Sequence, residues 1–224
     1  MDQTNRAERA VPLVKAERAE RAERAERAER AERAERAERA VLAVRAVRTD
    51  EWAEARAFRL DALRDPVAPI AFLETYEDAV QRPDSFWRER TERSARSASV
   101  RQFVAGLADG GWAGSVVALV ERRGTAGAFG GPSVYDQVHI VAVYVRPEHR
   151  GAGVLKELFD AATAWAWSLE EPRVERVRLY VDERNGRARA AYRKLGFEPT
   201  GETVPVDNDP SAREFELAVP WPPA

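Results

Sequence analysis

The stretch from Val141 to Leu155 constrains the fold of this 224-residue chain more than any other. A β-prone run, Gln137–Val145, leads through Arg146-Pro147-Glu148-His149-Arg150 into Gly151-Ala152-Gly153, and a helical pattern opens at once with Val154 and Leu155. A strand that turns directly into a helix sets unpaired N–H groups and a partial positive charge beside the strand's end. Glycines in such a turn let an anion approach the backbone closely, and Arg150 adds a cation there. The segment fits a pyrophosphate site; taken alone, it fits a tight strand-to-helix turn as well. It is not a Walker loop, because no Gly-Lys-Ser/Thr follows, and it lacks the third glycine of a dinucleotide fingerprint.

Around this segment the chain divides into two parts. Ala-Glu-Arg repeats without interruption from Ala16 to Arg39. All three residues favour helix, and each Glu from Glu17 to Glu35 precedes an Arg by four positions, the favourable order for an ion pair. A three-residue period drifts around a 3.6-residue helix, so no apolar stripe builds up and a coiled coil is disfavoured. Residues 1–40 therefore read as a charged helical or disordered extension. It could be an expanded repeat without function, a spacer or a partner-binding arm. Residues 41–224 are enough for one domain with a good core.

Within that domain the pattern predicts a strand over Val41–Thr49, then a helix capped by Thr49 or Asp50 and running to Leu63. Helical stretches follow near Ala71–Val80 and Phe86–Ala95. Strands at Arg101–Leu107 and Trp112–Glu121 flank the turn Asp109-Gly110-Gly111, and a glycine-rich loop spans Gly124–Gly131. After Gln137–Val145 comes a helix over Gly151–Leu169, with Leu155, Leu158, Ala162, Trp165 and Leu169 as its buried stripe. A strand at Val174–Val181, a helix over Asn185–Leu195 ended by Gly196, and strands at Phe197–Val206 and Glu214–Val219 complete a mixed α/β architecture.

Composition removes several functional classes. The absence of cysteine excludes disulfide scaffolds, thiol catalysis and Cys-based zinc sites, and two histidines leave little for a His-rich metal site, so no metal is expected. A net charge of −2 argues against a general nucleic-acid binder. No apolar run approaches the length of a membrane span, and Met1–Ala10 is polar, so a cytoplasmic location and no membrane partner are expected.

A second segment, Asn185-Gly186-Arg187-Ala188-Arg189-Ala190-Ala191-Tyr192-Arg193-Lys194-Leu195-Gly196-Phe197, follows the next strand. Together the two segments resemble the acetyl-CoA-dependent N-acetyltransferases of the GNAT superfamily. The matching pattern is Val-x-Pro-x-x-Arg-Gly-x-Gly, a strand, then Asn-x-x-Ala-x-x-x-Tyr-x-x-x-Gly-Phe. The resemblance is specific over 141–197 and follows the element order over roughly 41–219. It implies a GNAT-like acyl-CoA N-acyltransferase fold with acetyl-CoA as co-substrate. The backbone of Arg150, Gly151, Ala152, Gly153, Val154 and Leu155 would hold the pyrophosphate. The strand edge at Val143, Tyr144 and Val145 would pair with the pantetheine arm. That strand and Val177–Val181 would splay apart, and Asn185 would sit on the pantetheine side of the cleft. An amine would attack the thioester directly, a backbone N–H near Val143 would stabilise the oxyanion, and Tyr192 would protonate the departing thiolate.

The chain departs from the family at Leu155, where Gly or Ala is usual, and carries Gln137 and Tyr180 where some relatives place a catalytic Glu. His139 shares a strand face with Gln137 and is a candidate base; a partly exposed structural histidine, with water as the base, is the alternative. Tyr192 also lies on an apolar helix face with Ala188, Ala191 and Leu195, as a core residue would. Glu74, Tyr76, Glu77, Asp78 and Trp87 could form an acidic, aromatic rim for a cationic amine, or an ordinary solvated face. The acceptor stays open among small-molecule amines, amino acids, polyamines and peptide amines. A non-catalytic acyl-CoA-binding module is the competing function, a scaffold working through the repeat is a third, and a homodimer is compatible with the resemblance.

Overall fold

The computed structural model describes residues 41–127, 131–206 and 209–221, so the Ala-Glu-Arg repeat and the middle of the glycine-rich loop lie outside the described residues. In chain order the elements are β1 (Val41–Ala46), α1 (Trp52–Leu63), α2 (Tyr76–Val80), α3 (Asp84–Arg96), β2 (Val100–Leu107), β3 (Trp112–Glu121), β4 (Gln137–Val145), α4 (Val154–Trp167), β5 (Arg176–Asp182), α5 (Gly186–Lys194), β6 (Glu198–Val206) and β7 (Asp209–Pro220). The strands form one seven-stranded sheet in the order β1-β2-β3-β4-β5-β7-β6. Every pairing is antiparallel except β4 with β5, which α4 connects as a parallel crossover.

Local chemistry sets most of these boundaries. Gly110 takes a φ of +89°, and the Asp109 carboxylate accepts the Gly111 N–H at 2.8 Å, closing the β2–β3 turn where the sequence predicts it. Helix α1 begins differently from expectation. Neither Thr49 nor Asp50 caps it; Glu51 occupies the cap position, and its carboxylate accepts from Arg45 Nη1 and the Arg48 N–H, both at 2.8 Å. Helix α4 buries Val154, Leu158, Phe159, Ala162 and Ala166, while Leu155 and Trp165 are only partly covered. That helix is apolar on more than one stripe, so its period does not fix which stripe meets the sheet.

The two faces of the sheet differ. On one, Val138, Ile140, Val177, Leu179 and Leu217 meet α4 and α5 in the main core. On the other, Val104, Trp112 and Tyr144 pack on Ala55, Phe58 and Ala62 of α1. The depth at which α4 sits depends on Gly114 of β3. A Cβ there would lie 2.9 Å from Leu158 Cδ1 and 3.1 Å from the Tyr144 carbonyl oxygen, so glycine alone lets Leu158 rest on the sheet.

Where β4 and β5 pair, the face turned away from α4 carries a buried polar ladder across four strands. Glu121 of β3 accepts from Gln137 Nε2 at 2.8 Å and from Arg178 Nη2 at 2.6 Å, and its other oxygen lies 3.1 Å from His139 Nδ1. Arg178 Nη1 reaches Glu216 of β7 at 2.8 Å, and Arg176 Nη1 reaches the same carboxylate at 2.8 Å. Burial opposes ionisation of Glu121, yet the His139 hydrogen bond and the Arg178 guanidinium outweigh it and hold its carboxyl near a pKa of about 2. Burial likewise pushes the His139 imidazole below its ordinary range, so it is neutral at pH 7.

Two consequences can be measured. Gly114→Ala overpacks the α4–sheet contact and should destabilise the fold by about 1–3 kcal/mol, lowering the melting temperature; an unchanged melting temperature would mean that Leu158 is free to move. The ladder makes stability acid-sensitive. Unfolded, His139 takes a proton near pH 6.5 and Glu121 near 4.5, whereas the native state resists both protonations. Stability is therefore fully present above about pH 6.5, declines as pH falls through that value, and falls further between about 4.5 and 2. His139→Gln should flatten the first part of the decline in melting temperature. A loss of stability on raising pH from 7 to 9 instead would contradict this assignment.

Candidate active site

The β4–β5 pairing is short. Gln137 pairs with Arg176, Val138 with Val177 and His139 with Arg178, and there the register ends. Ile140–Val145 and Leu179–Asp182 have no ladder partner in each other, although β3 and β7 still pair with their outer edges. The strands part as a V, and beyond His139 the inner edge of β4 has no strand partner and is open to another extended chain, although the Val145 carbonyl already accepts from Arg150 Nε at 2.9 Å. The resemblance implies a splay of Val143–Val145 from Val177–Val181; Val177 and Arg178 still pair with Val138 and His139, so the strands part only beyond them.

A bulge sits within this free edge. Val117 faces Val141 but Ser115 faces Tyr144, and Ala142 between them takes a φ of +52°. A side chain in this left-handed region is strained by about 1 kcal/mol or more. The bulge resets the alternation of the strand. Ile140, Val143 and Val145 all lie against the α4 core although 140 and 143 are three apart, while Tyr144 turns to α1. Nothing in the sequence marks Ala142, since alanine is not the residue that a positive φ calls for.

The strand then leads to the start of α4. Arg146 donates from Nε to the Trp112 carbonyl at 2.8 Å, and Pro147–His149 forms a single 3-10 turn. Gly151 and Gly153 have φ of +82° and +87°, and a Cβ built on either would meet nothing within 4 Å. Gly153 is the N-cap of α4 and has no side chain to satisfy the first-turn amides. The result is an open, amide-lined cradle at the head of a 14-residue helix, which fits a diphosphate. Val154 is buried beneath it, and Leu155 packs partly against the core, so the leucine side chain stays out of the cradle floor. The Arg150 side chain is used otherwise than expected. Its Nε donates to the Val145 carbonyl at 2.9 Å and its Nη2 pairs with Asp65, so it ties the loop to the end of α1.

The remaining expected site residues divide. Asn185 caps α5, its Oδ1 accepting the Ala188 N–H at 3.1 Å. Tyr192 is on α5 with its ring in the core, 5.5 Å from the Phe159 ring. Among the described residues nothing hydrogen-bonds its hydroxyl, and burial pushes the phenol above its ordinary range, so it is protonated at neutral pH. His139 is not partly exposed. It is 1% exposed, within the ladder, and hydrogen-bonded to Glu121. Sequence reasoning missed the ladder carboxylates Glu121 and Glu216, although the alternation of Arg176, Arg178 and Tyr180 with Val177, Leu179 and Val181 signals a charged strand face.

On the α1 side of the bulge lies a cavity of about 30 Å³, bounded by α1, α3, β2 and β3 and reaching Ala142 and Tyr144 of β4. Of the expected acidic, aromatic rim only Trp87, which is buried, lines it; Glu74 is paired to Arg59 at 3.0 Å, and the Arg64 guanidinium stacks 4.3 Å over the Tyr76 ring.

The fold is shared with solved acetyltransferases. A GNAT-family acetyltransferase from Streptococcus pneumoniae superimposes with a TM-score of 0.63 at 16% identity, over 80% of this chain and 98% of that one. A GCN5-related N-acetyltransferase from Kribbella flavida gives 0.57 at 20% identity, over 81% and 98%. A mutant form of the spermidine N-acetyltransferase of Vibrio cholerae gives 0.54 at 16% identity, over 80% and 95%. No curated protein matches the sequence. Among the described residues no helix is long and apolar enough to cross a membrane. The acetyltransferase (GNAT) family model matches residues 66–197, which hold the splayed strands, the glycine cradle and the Tyr192 helix, and the chain belongs to that family.

Proposed function

We propose that the protein transfers an acetyl group from acetyl-CoA to a primary amine by direct attack in a ternary complex. The observation that carries this reading is the pairing of a free β4 edge with the open glycine cradle at the head of α4. The family generally uses acetyl-CoA as co-substrate, and these two features match its two halves. Amides of Gly151–Leu155 would hold the diphosphate, and Val143–Val145 would extend the sheet to the pantetheine arm. Asn185 would act on this side of the cleft through the start of α5, which its side chain caps.

In the transfer, the amine nitrogen forms a bond to the thioester carbon while the carbon–sulfur bond breaks. The Val143 N–H, beside the strained Ala142 peptide, is our candidate for stabilising the carbonyl oxygen as it gains charge. Tyr192 donates its proton to the departing sulfur, and the proton lost by the amine leaves through water. His139 holds its expected strand position, but its enclosure in the ladder gives it the work of closing the V rather than of meeting the amine. The spermidine enzyme from Vibrio cholerae shares the fold, and its polyamine acceptor is one candidate among small-molecule and peptide amines. A cytoplasmic site of action suits the co-substrate.

Thiol release from acetyl-CoA, followed over a panel of amines, tests the reading: release that requires an amine supports it, and coenzyme A binding without turnover on any amine would return the chain to a binding module. Tyr192→Phe should lower turnover about 10²-fold with little change in coenzyme A affinity; equal turnover would leave Tyr192 a core residue only. Gly153→Val places a β-branched side chain at a φ of +87° and into the cradle, and should abolish coenzyme A binding in a domain that still folds. Retained tight binding in that variant would mean that the diphosphate lies elsewhere.

A further inference from the structure

The cavity beside the Ala142 bulge has a chemical character of its own. Trp87, Arg90 and Thr91 fall on one face of α3 by their spacing, and all three line it, opposite Arg59 of α1 and Ser115 of β3. No Asp or Glu is among its lining residues. Two guanidinium groups thus face one space and share a single carboxylate, Glu74, which Arg59 binds at 3.0 Å. Arg90 has no ion-pair partner among the described residues; burial and the neighbouring Arg93 oppose its charge, the more distant Glu74 offsets them in part, and Arg90 in turn opposes the charge of Arg59. The Trp87 indole N–H is buried without an acceptor. A buried donor left unpaired is costly and calls for an explanation. A guanidinium with no ion pair of its own, served only at a distance by Glu74, and an orphan indole N–H both call for the same ligand group, an anion with acceptor oxygens. The cavity has room for about two water-sized groups, which is the scale of one carboxylate.

We infer that the acetyl acceptor is an amino carboxylate, a small molecule whose carboxylate is taken by Arg90 and the Trp87 N–H while its amine faces the β4 bulge. This rests on the acetyltransferase reading above and narrows it, because a cavity lined with cations repels a polyamine. Arg59 stays with Glu74 and orients the site, and Arg90 supplies the charge that selects the acceptor.

The experiment uses the full chain and matched acceptors: free amino acids, including ω-amino acids, the corresponding amino-acid amides, and spermidine. Free amino acids should be acetylated with kcat/KM about 10-fold or more above their amides and above spermidine. Arg90→Gln should raise KM for the amino acid about 10-fold or more while leaving KM for acetyl-CoA and the weak rate on amides unchanged, and Arg90→Lys should recover part of the loss. Amides or spermidine used as well as free amino acids, or an Arg90→Gln effect equal on every acceptor, would overturn the inference and leave the transferase reading intact. Binding is read separately, as thermal protection by the same compounds with coenzyme A present. If no amine is acetylated, the transferase reading fails. The carboxylate site then stands on protection by free amino acids that Arg90→Gln removes, and falls if there is none.

Discussion

The termination of β4–β5 pairing after His139 and Arg178 is the constraint on which the site depends. Parallel neighbours in a sheet normally satisfy each other along their length, and an unpaired inner edge is a liability that folds usually cover. Here the edge is held open from both ends. At the closed end the buried ladder of Glu121, His139, Arg178 and Glu216 cross-links β3, β4, β5 and β7. At the open end α4 is seated by Leu158 on Gly114, and Arg150 fastens the loop to Asp65 and Val145. Neither end can move far without breaking a buried contact, so the cleft between them is pre-formed.

This arrangement gives two ionisable residues near the cleft different work from what their positions suggest. Arg150 stands at the glycine turn that opens α4 yet serves the loop, and His139 stands on the strand where a base is sought yet serves the ladder. The cradle is left to backbone amides, whose direction is fixed by the glycines and by the helix itself. Amides offer an anion a geometry that does not depend on side-chain rotamers and that costs little reorganisation on binding. The strained Ala142 peptide belongs to the same scheme, because a bulge in an otherwise regular strand re-aims backbone groups at the point where the free edge meets the cavity beneath α1 and α3.

Much of this was legible in the sequence, and the boundary of legibility is physical. Gly151 and Gly153 announced the cradle because only glycine accepts φ near +85° there without strain, and Asn185 through Phe197 fixed the second half of the family pattern. The hairpin at Asp109-Gly110 followed from turn chemistry. The buried stripe of α4 is legible at Leu158 and Ala162, but Val154, Phe159 and Ala166 complete it in place of Leu155, Trp165 and Leu169, because Val154 to Trp167 is apolar around much of its circumference. The ladder and the cationic cavity were not legible, since Glu121, Arg178, Glu216, Arg59 and Arg90 are drawn from three strands and two helices far apart in the chain. Charged residues read singly look solvated, and only the fold reveals that these share enclosed space.

We propose that the β4 edge and the head of α4 together grip acetyl-CoA. Following backbone amide resonances of the protein during titration with coenzyme A tests it most directly. The account predicts that the largest shifts fall on Gly151–Leu155 and on Val143–Val145, and that they saturate together. Shifts confined to other elements, or none at millimolar ligand, would contradict it.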